Sequence, residues 1–237
     1  GKYYDVNGIK MYCEIYGKGE PLLLLHGNGG NISAFQKIIP YLSKKYKVIA
    51  VDSRAQGKSI DLKDSLSFEM MADDFNSLLN QLKLDSVNVF GWSDGGINAL
   101  LLAMRHPKKV RKLASTGANI FVDNTAFIPG LYQELQKDYN DKKNKVFTDL
   151  NEKNERKVFL LDVFEPKLSF KDLNVIKCPS LIISGDNDLI SLEHTINIYR
   201  NILKAQLWIV PNSGHCTFEN NTKAFCDNLI LFFKSKK

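Results

Sequence analysis

Cysteine and histidine are scarce in this chain. Among 237 residues there are four cysteines and four histidines, and no two cysteines have the C-x-x-C spacing of a metal or redox site. The histidines are not clustered either, so we expect no metal ion, and nothing in the sequence calls for a cofactor. Unpaired cysteines are typical of a reducing compartment, and the cytoplasm is therefore the expected location.

Membrane and nucleic-acid signals are also lacking. The apolar run near the start, Leu22–Leu25, is too short for a membrane span and is not placed as a signal peptide, so no membrane partner is expected. The formal net charge is +6, but the basic residues are interleaved with acidic ones, as in Lys137–Lys157. Because no motif that reads DNA or RNA accompanies them, we expect no nucleic-acid partner.

The most informative feature that is present is a serine between glycines. The segment Gly91-Trp92-Ser93-Asp94-Gly95-Gly96 follows the apolar run Val87–Phe90 and precedes a helix-forming run. A strand-to-helix turn of the form G-x-S-x-G holds the serine in a strained conformation, and glycines let the strand and helix approach closely. The pattern predicts that Ser93 is a nucleophile, although by itself it also fits a glycine-rich turn without chemistry.

Candidate partners for Ser93 follow in the order acid, then histidine. Asp188 comes just after the β-rich run Pro179–Ser184, and His215 comes after Ala205–Val210. A serine nucleophile needs a base and an orienting acid, and strand ends of one sheet bring such groups together. We therefore expect a Ser93-His215-Asp188 triad.

Other residues could fill the same roles. Asp186 lies two positions before Asp188, and Asp123 lies just beyond the strand before the irregular segment, so both are rival candidates for the acid. His194 is an alternative to His215, whereas His26 ends a buried strand and is expected to hold a loop.

The apolar pattern predicts one α/β domain over residues 1–237. Asn7-Gly8 lies between two alternating runs and indicates an antiparallel hairpin, after which strands alternate with helices such as 33–44 and 67–83. Between residues 119 and 177 this regularity breaks into two helix-like stretches, 131–138 and 146–163. We name residues 119–177 the lid and expect it to be a small helical insertion before the acid-bearing strand.

Three motifs together make the chain similar to the α/β-hydrolases, over nearly its whole length. They are His26-Gly27 after the first parallel strand, the segment Asp52–Ser59 of the form D-x-R-G-x-G-x-S with Ala55 in place of a usual glycine, and the turn around Ser93. The resemblance implies the α/β-hydrolase fold, a mostly parallel central sheet flanked by helices, and favours Asp188 as the acid. It also implies an oxyanion hole made by the backbone N–H groups of Asn28 and Asp94.

A narrower resemblance concerns Asp94. The turn around Ser93, with Gly117-Ala118-Asn119 after the next strand, resembles the biphenyl-hydrolase-like (valacyclovir hydrolase) branch of small serine esterases. There the aspartate after the nucleophile receives the ammonium group of an amino-acid ester. By resemblance we expect Asp94, with Trp92, to bind substrate, although Asp94 could equally just favour the first turn of a helix.

The expected activity is that of a serine hydrolase that cleaves a small carboxylic ester through an acyl-enzyme. One alternative is a carbon–carbon bond hydrolase acting on a vinylogous diketone with the same triad. Another is a low-turnover ligand-binding or signalling protein, because a fold alone does not assign function.

Overall fold

The sheet begins with a β-hairpin. A computed structural model describes residues 1–235, in which strands β1 (Lys2–Val6) and β2 (Ile9–Tyr16) pair antiparallel. Asn7 and Gly8 connect them with φ angles of +43° and +88°. Two consecutive positive φ angles match the right-handed twist of hairpin strands, which is why Asn-Gly is favoured at this turn.

Six further strands complete an eight-stranded sheet of order β1-β2-β4-β3-β5-β6-β7-β8. The β1-β2 and β2-β4 pairings are antiparallel, and the five other pairings are parallel. The added strands are β3 (Glu20–Leu25), β4 (Tyr46–Val51), β5 (Val87–Trp92), β6 (Val110–Thr116), β7 (Ser180–Gly185) and β8 (Ala205–Val210).

Helices cover both faces of the sheet. They are α1 (Ile39–Leu42), α2 (Phe68–Gln81), α3 (Asp94–Arg105), α4 (Leu131–Lys142), α5 (Leu150–Phe164), α6 (Leu192–Arg200) and α7 (Thr222–Lys234). Along β3, Leu22 and Leu24 pack with one apolar cluster and Leu23 and Leu25 with another. Because successive strand side chains point to opposite faces, a strand buried on both sides is continuously apolar. The predicted α/β-hydrolase fold class is confirmed.

Two predicted helices differ from those observed. The continuous helix expected over 33–44 is instead a 3-10 turn, Ile32–Phe35, followed by the short α1. Pro40 explains the break, because proline has no N–H and is tolerated only in the first turn of a helix. Helix α5 begins at Leu150 rather than at 146, because the Asp149 side chain accepts hydrogen bonds from the first-turn N–H groups and caps it.

The lid lies between β6 and β7 and carries α4 and α5. The two helices touch through Tyr139 and Phe164, whose ring centroids are 4.9 Å apart. None of the helices within residues 1–235 combines the length and the apolar character that crossing a bilayer demands.

Candidate active site

Strand β5 turns into helix α3 at Ser93. Its φ and ψ angles are +56° and −122°, a conformation that L-residues rarely adopt. A Cβ on Gly91 would lie 1.9 Å from the carbonyl oxygen of Gly95, and a Cβ on Gly95 would lie 1.9 Å from that of Leu25. Only glycine fits at these two positions, so the local sequence holds Ser93 in a strained turn at the carboxyl end of β5.

His215 joins Ser93 to Asp188. Its Nε2 lies 2.8 Å from Ser93 Oγ, and its Nδ1 lies 2.6 Å from Asp188 Oδ1. The imidazole also needs space beside β6, which Gly117 provides, since a Cβ there would lie 2.8 Å from His215 Cε1. The structure thus brings the three predicted residues together in the geometry that lets a histidine take a proton from a serine.

The Asp188 carboxylate is buried but well supplied with donors. Burial raises its pKa, but hydrogen bonds from His215 and from the backbone N–H of Ile190 outweigh this and hold the pKa below its ordinary value. Asp188 is therefore ionised at neutral pH. An ionised carboxylate here fixes the imidazole tautomer and stabilises the imidazolium.

The other acids considered from the sequence have different tasks. Asp186 accepts hydrogen bonds of 2.9 Å from the backbone N–H groups of Asn212 and Ser213, and so fixes the loop that leads to His215. Asp123 accepts hydrogen bonds from the side chain and backbone N–H of Thr125, which makes it a turn residue. Neither Asp186 nor Asp123 is hydrogen-bonded to the His215 imidazole.

Two other histidines are structural in this arrangement. His194 Nε2 accepts a hydrogen bond of 3.0 Å from the Ile120 N–H, and burial lowers the pKa of His194 to about 4. His26 Nδ1 donates to the Gly27 carbonyl, and its Nε2 accepts from the Ser53 N–H, which joins the loops after β3 and β4. The loop-holding role that the sequence predicts for His26 agrees with these contacts.

Two backbone donors face the nucleophile region without partners. Asp94 is the first residue of α3, where an N–H has no partner within the helix, and Asn28 lies in the loop after β3. Within residues 1–235, neither N–H donates a hydrogen bond to the protein. A developing oxyanion requires such free N–H donors, aimed at the position that its oxygen will occupy.

A cavity of about 170 Å³ adjoins Ser93 and His215. One part of its lining is polar, with Asn28, Asp94, Asn119, Asp162 and Glu165. The rest is apolar, contributed by Ile97, Phe127, Leu131, Leu135, Leu189 and Ile190. A substrate that fits this cavity would therefore combine an apolar part with a polar or charged group.

Trp92 does not line this cavity, contrary to the substrate contact that the resemblance implies. Its indole Nε1 donates a hydrogen bond of 3.0 Å to the His215 carbonyl oxygen, and its ring packs edge-on against Phe218. The side chain turns away from the cavity because the residue before the nucleophile still belongs to β5. Trp92 therefore supports the histidine loop.

Asp94 is almost completely buried, with 3% of its surface exposed. Its Oδ2 accepts a hydrogen bond of 2.9 Å from Asn28 Nδ2, while its Oδ1 accepts none from residues 1–235. Burial, together with the charge of Asp162, raises the pKa of Asp94 well above its ordinary value, and the Asn28 bond acts in the opposite direction. The cavity therefore contains a carboxylate that lacks a cationic partner.

Asp162 and Glu165 are cavity residues that the sequence motifs do not reveal. Asp162 follows Val158 by four residues on α5, which places the two side chains on one face of the helix, and Glu165 is the residue directly after the helix. Burial raises the pKa of Asp162 to about 7, with the nearby His215 acting in the other direction. In the sequence, the only sign of these cavity residues is two acids among the apolar residues at the end of α5, and acids on a solvent-exposed face would give the same pattern.

Comparison with known proteins agrees with this geometry. The family model described as alpha/beta hydrolase fold matches residues 20–161, which is more than half of the chain. The chain belongs to the α/β-hydrolase family. The resemblance carried by His26-Gly27, Asp52–Ser59 and the turn around Ser93 is thereby confirmed.

Individual α/β-hydrolases are similar over most of this chain. Serine hydrolase BPHL of Mus musculus is 28% identical over 229 positions, covering 89% of this chain and 78% of that protein. The pimeloyl-acyl-carrier protein methyl ester esterase of Legionella pneumophila (strain Corby) is 29% identical over 248 positions, covering 95% and 100%. Among solved structures, the esterase EaEST from Exiguobacterium antarcticum has a TM-score of 0.83 and 25% identity, covering 99% and 100%.

These similarities show which type of enzyme the protein is. The relatives are named as hydrolases and esterases, and the present α/β-hydrolase is an enzyme of that type. The similarity to BPHL supports the resemblance to the biphenyl-hydrolase-like branch that the segment Gly91–Gly96 indicates.

Proposed function

We propose that this α/β-hydrolase cleaves small carboxylic esters through an acyl-enzyme. Ser93 Oγ forms a bond to the acyl carbon while His215 Nε2 takes the hydroxyl proton. The carbonyl electron pair moves onto oxygen, where the N–H groups of Asn28 and Asp94 stabilise the negative charge. Asp188 stabilises the protonated imidazole throughout.

The intermediate then loses the alcohol. The bond between the acyl carbon and the ester oxygen breaks, and His215 gives its proton to the departing oxygen. Water next attacks the acyl-enzyme while His215 takes one of its protons, and collapse releases the carboxylic acid. The proton returns to Ser93, so the cycle needs no group beyond those of the chain and water.

The observation that carries this proposal is the continuous contact from Ser93 Oγ through His215 to Asp188, at 2.8 Å and 2.6 Å. A fluorophosphonate probe, which phosphonylates activated serines with loss of fluoride, tests it. We expect the probe to label the wild-type enzyme and the Ser33→Ala control, in which an exposed serine is removed, but not Ser93→Ala. Labelling that survives Ser93→Ala would show that another residue is the nucleophile.

We also propose a preference for esters whose acyl part carries a cation. Asp94 supports this, because its Oδ1 is unpaired in a cavity next to the nucleophile, and burial and the charge of Asp162 raise its pKa. A bound ammonium would restore the charged form and gain a charge-assisted hydrogen bond.

Two benzyl esters of the same shape measure this preference. L-leucine benzyl ester and benzyl 4-methylpentanoate differ only in the amino group, so the ratio of their kcat/KM values isolates the charge. We expect the ratio to favour the leucine ester in the wild type and to fall at least tenfold in Asp94→Asn. Equal ratios in the two proteins would remove Asp94 from substrate selection.

The same triad could serve carbon–carbon bond hydrolysis of a vinylogous diketone. The enolate that leaves in such a reaction would develop negative charge in a cavity that already contains Asp94, Asp162 and Glu165. Like charges in a partly dry site are unfavourable, so the lining favours the cationic ester. The hydrolase and esterase names of the relatives also argue against the alternative of a low-turnover binding protein.

A further inference from the structure

Helix α5 of the lid presents an unpaired carboxylate to the cavity. Asp162 lines the cavity with Ser93 and His215, and within residues 1–235 it makes no hydrogen bond and no ion pair. A carboxylate shielded from water without a partner costs free energy that a ligand of opposite charge can recover. The catalytic steps proposed above do not use it.

Asp94, which also lines the cavity, supplies a matching oxygen. Asp94 lies at the N-terminus of α3, and only 3% of its surface is exposed. Its Oδ2 accepts a hydrogen bond from Asn28, so Oδ1 is the oxygen that remains free. Two unpaired acceptors therefore border one small space, one from the sheet side and one from the lid.

The remaining charged groups around this space are already engaged. Glu165 Oε2 accepts a hydrogen bond of 3.3 Å from the Phe68 N–H, and His215 is bonded to Ser93 and Asp188. No lysine or arginine belongs to the lining, as far as residues 1–235 show. The positive charge that would balance Asp94 and Asp162 must therefore come with the substrate.

We propose that Asp162 is a specificity-determining residue, which together with Asp94 forms a clamp of two carboxylates for a primary ammonium group in the acyl part of the ester. This inference rests on the esterase function proposed above. A primary ammonium has three N–H donors, enough to bond the free oxygen of Asp94 and an oxygen of Asp162 at once. The apolar lining contributed by Ile97, Leu131 and their neighbours would receive the hydrocarbon part of the acyl group.

The raised pKa values of both carboxyls agree with this arrangement. Each is raised first by burial, and Asp94 is raised further by Asp162, as expected for two acids that face one space without a counter-charge. A bound ammonium between them would remove the repulsion and allow both to ionise.

The test compares selectivity in matched variants at pH 7. The measured quantity is the kcat/KM of L-leucine benzyl ester divided by that of benzyl 4-methylpentanoate, in the wild type, Asp162→Asn, Asp94→Asn and the double variant. Glu155→Gln is the control, because Glu155 is an exposed acid on the same helix that does not line the cavity. Turnover of the neutral ester shows that each variant is folded, and Asp162→Ser replaces Asp162→Asn if the latter does not fold.

We expect Asp162→Asn to lower the ratio about tenfold and Glu155→Gln to leave the ratio unchanged. The double variant should lose less than the product of the two single losses, because both residues hold one ammonium. A ratio that stays at the wild-type value in Asp162→Asn but falls in Asp94→Asn overturns the role of Asp162 alone. An equal loss of kcat/KM for both esters in Asp162→Asn overturns this role too. If the wild type cleaves neither ester, the proposed esterase function itself is overturned.

Discussion

Asn28 Nδ2 lies 2.9 Å from Asp94 Oδ2, so the two residues whose backbone N–H groups flank Ser93 are also joined through their side chains. The same Nδ2 lies 2.9 Å from the carbonyl oxygen of Val158 on α5. The loop after β3, the start of α3 and the lid therefore meet at one amide. A displacement of any of the three would move a donor of the proposed oxyanion hole.

Replacing Asn28 by alanine tests this connection. Asn28→Ala keeps the backbone N–H but removes both side-chain bonds, so the donor becomes less well positioned. We expect kcat for a neutral ester to fall roughly ten- to a hundredfold with a smaller change in KM, since small misplacements near the reacting atoms are costly. Asn174→Ala, an exposed substitution outside the cavity, should leave both constants unchanged. An unchanged kcat in Asn28→Ala would separate the side chain from catalysis.

The two neighbouring aspartates should differ in their effect on turnover. Asp188→Asn removes the charge that stabilises protonated His215, and we expect kcat to fall by about 10⁴ with the fold retained. Asp186→Asn weakens the bonds to Asn212 and Ser213 and should act mainly on stability, with a much smaller loss of kcat. Steady-state kinetics measures the effect of each substitution on kcat, and thermal unfolding measures its effect on stability. The reverse ranking of kcat would assign the acid to Asp186.

Binding of a simple cation should depend on pH. The pKa of Asp162 is raised to about 7 in the empty cavity, so the carboxyl is mostly neutral at pH 6 and mostly ionised at pH 8. Butylammonium stays charged across this range, as an amine of pKa about 10 does. Its competitive inhibition constant should therefore fall as pH rises, by up to about tenfold for one carboxyl.

Two controls accompany that measurement. The neutral isostere 1-butanol should inhibit equally at pH 6 and pH 8, and Asp162→Asn should narrow the difference seen with butylammonium. If butylammonium binds equally well at both pH values in the wild type, the carboxyl does not meet the cation.

A buried ionic network anchors the lid. Lys157 on α5 lies 3.0 Å from Asp61 Oδ2, and Asp61 is also 3.1 Å from Arg54, which pairs with Asp74 at 2.6 Å. Two cations and two anions balance in this network. Lys157→Met leaves the buried network with two anions and a single cation, Arg54, and such an uncompensated buried charge typically costs about 3 kcal/mol or more.

Differential scanning calorimetry can measure that cost. At this chain length a loss of about 3 kcal/mol should lower Tm by roughly 6–12 °C. Lys153→Met, which removes an exposed lysine from the same helix, should shift Tm by no more than about 2 °C. Similar shifts in the two variants would mean that the network adds no specific anchoring.

The strand pattern and the order of the motifs were sufficient to predict most of the fold. Continuous apolar runs such as Leu22–Leu25 indicate strands buried on both faces, and a serine between glycines restricts the turn at Ser93 to one local geometry. Element ends were less predictable, because Pro40 divides one expected helix and the Asp149 cap moves the start of α5. A proline and a capping side chain act locally, and the periodicity of apolar residues does not reveal either effect.

By itself, the sequence determined the alternation of strands and helices, the strained turn and the candidates for the triad, because each depends on periodicity or on residues near one another in the chain. Only the tertiary structure decided between Asp188 and Asp186, turned Trp92 away from the cavity and brought Asp162 towards Ser93 and Asp94. The position of Asp162 depends on which face of a lid helix packs over the sheet. Helix α5 meets Asn28 across 130 residues of chain, and no local pattern encodes a contact of that separation.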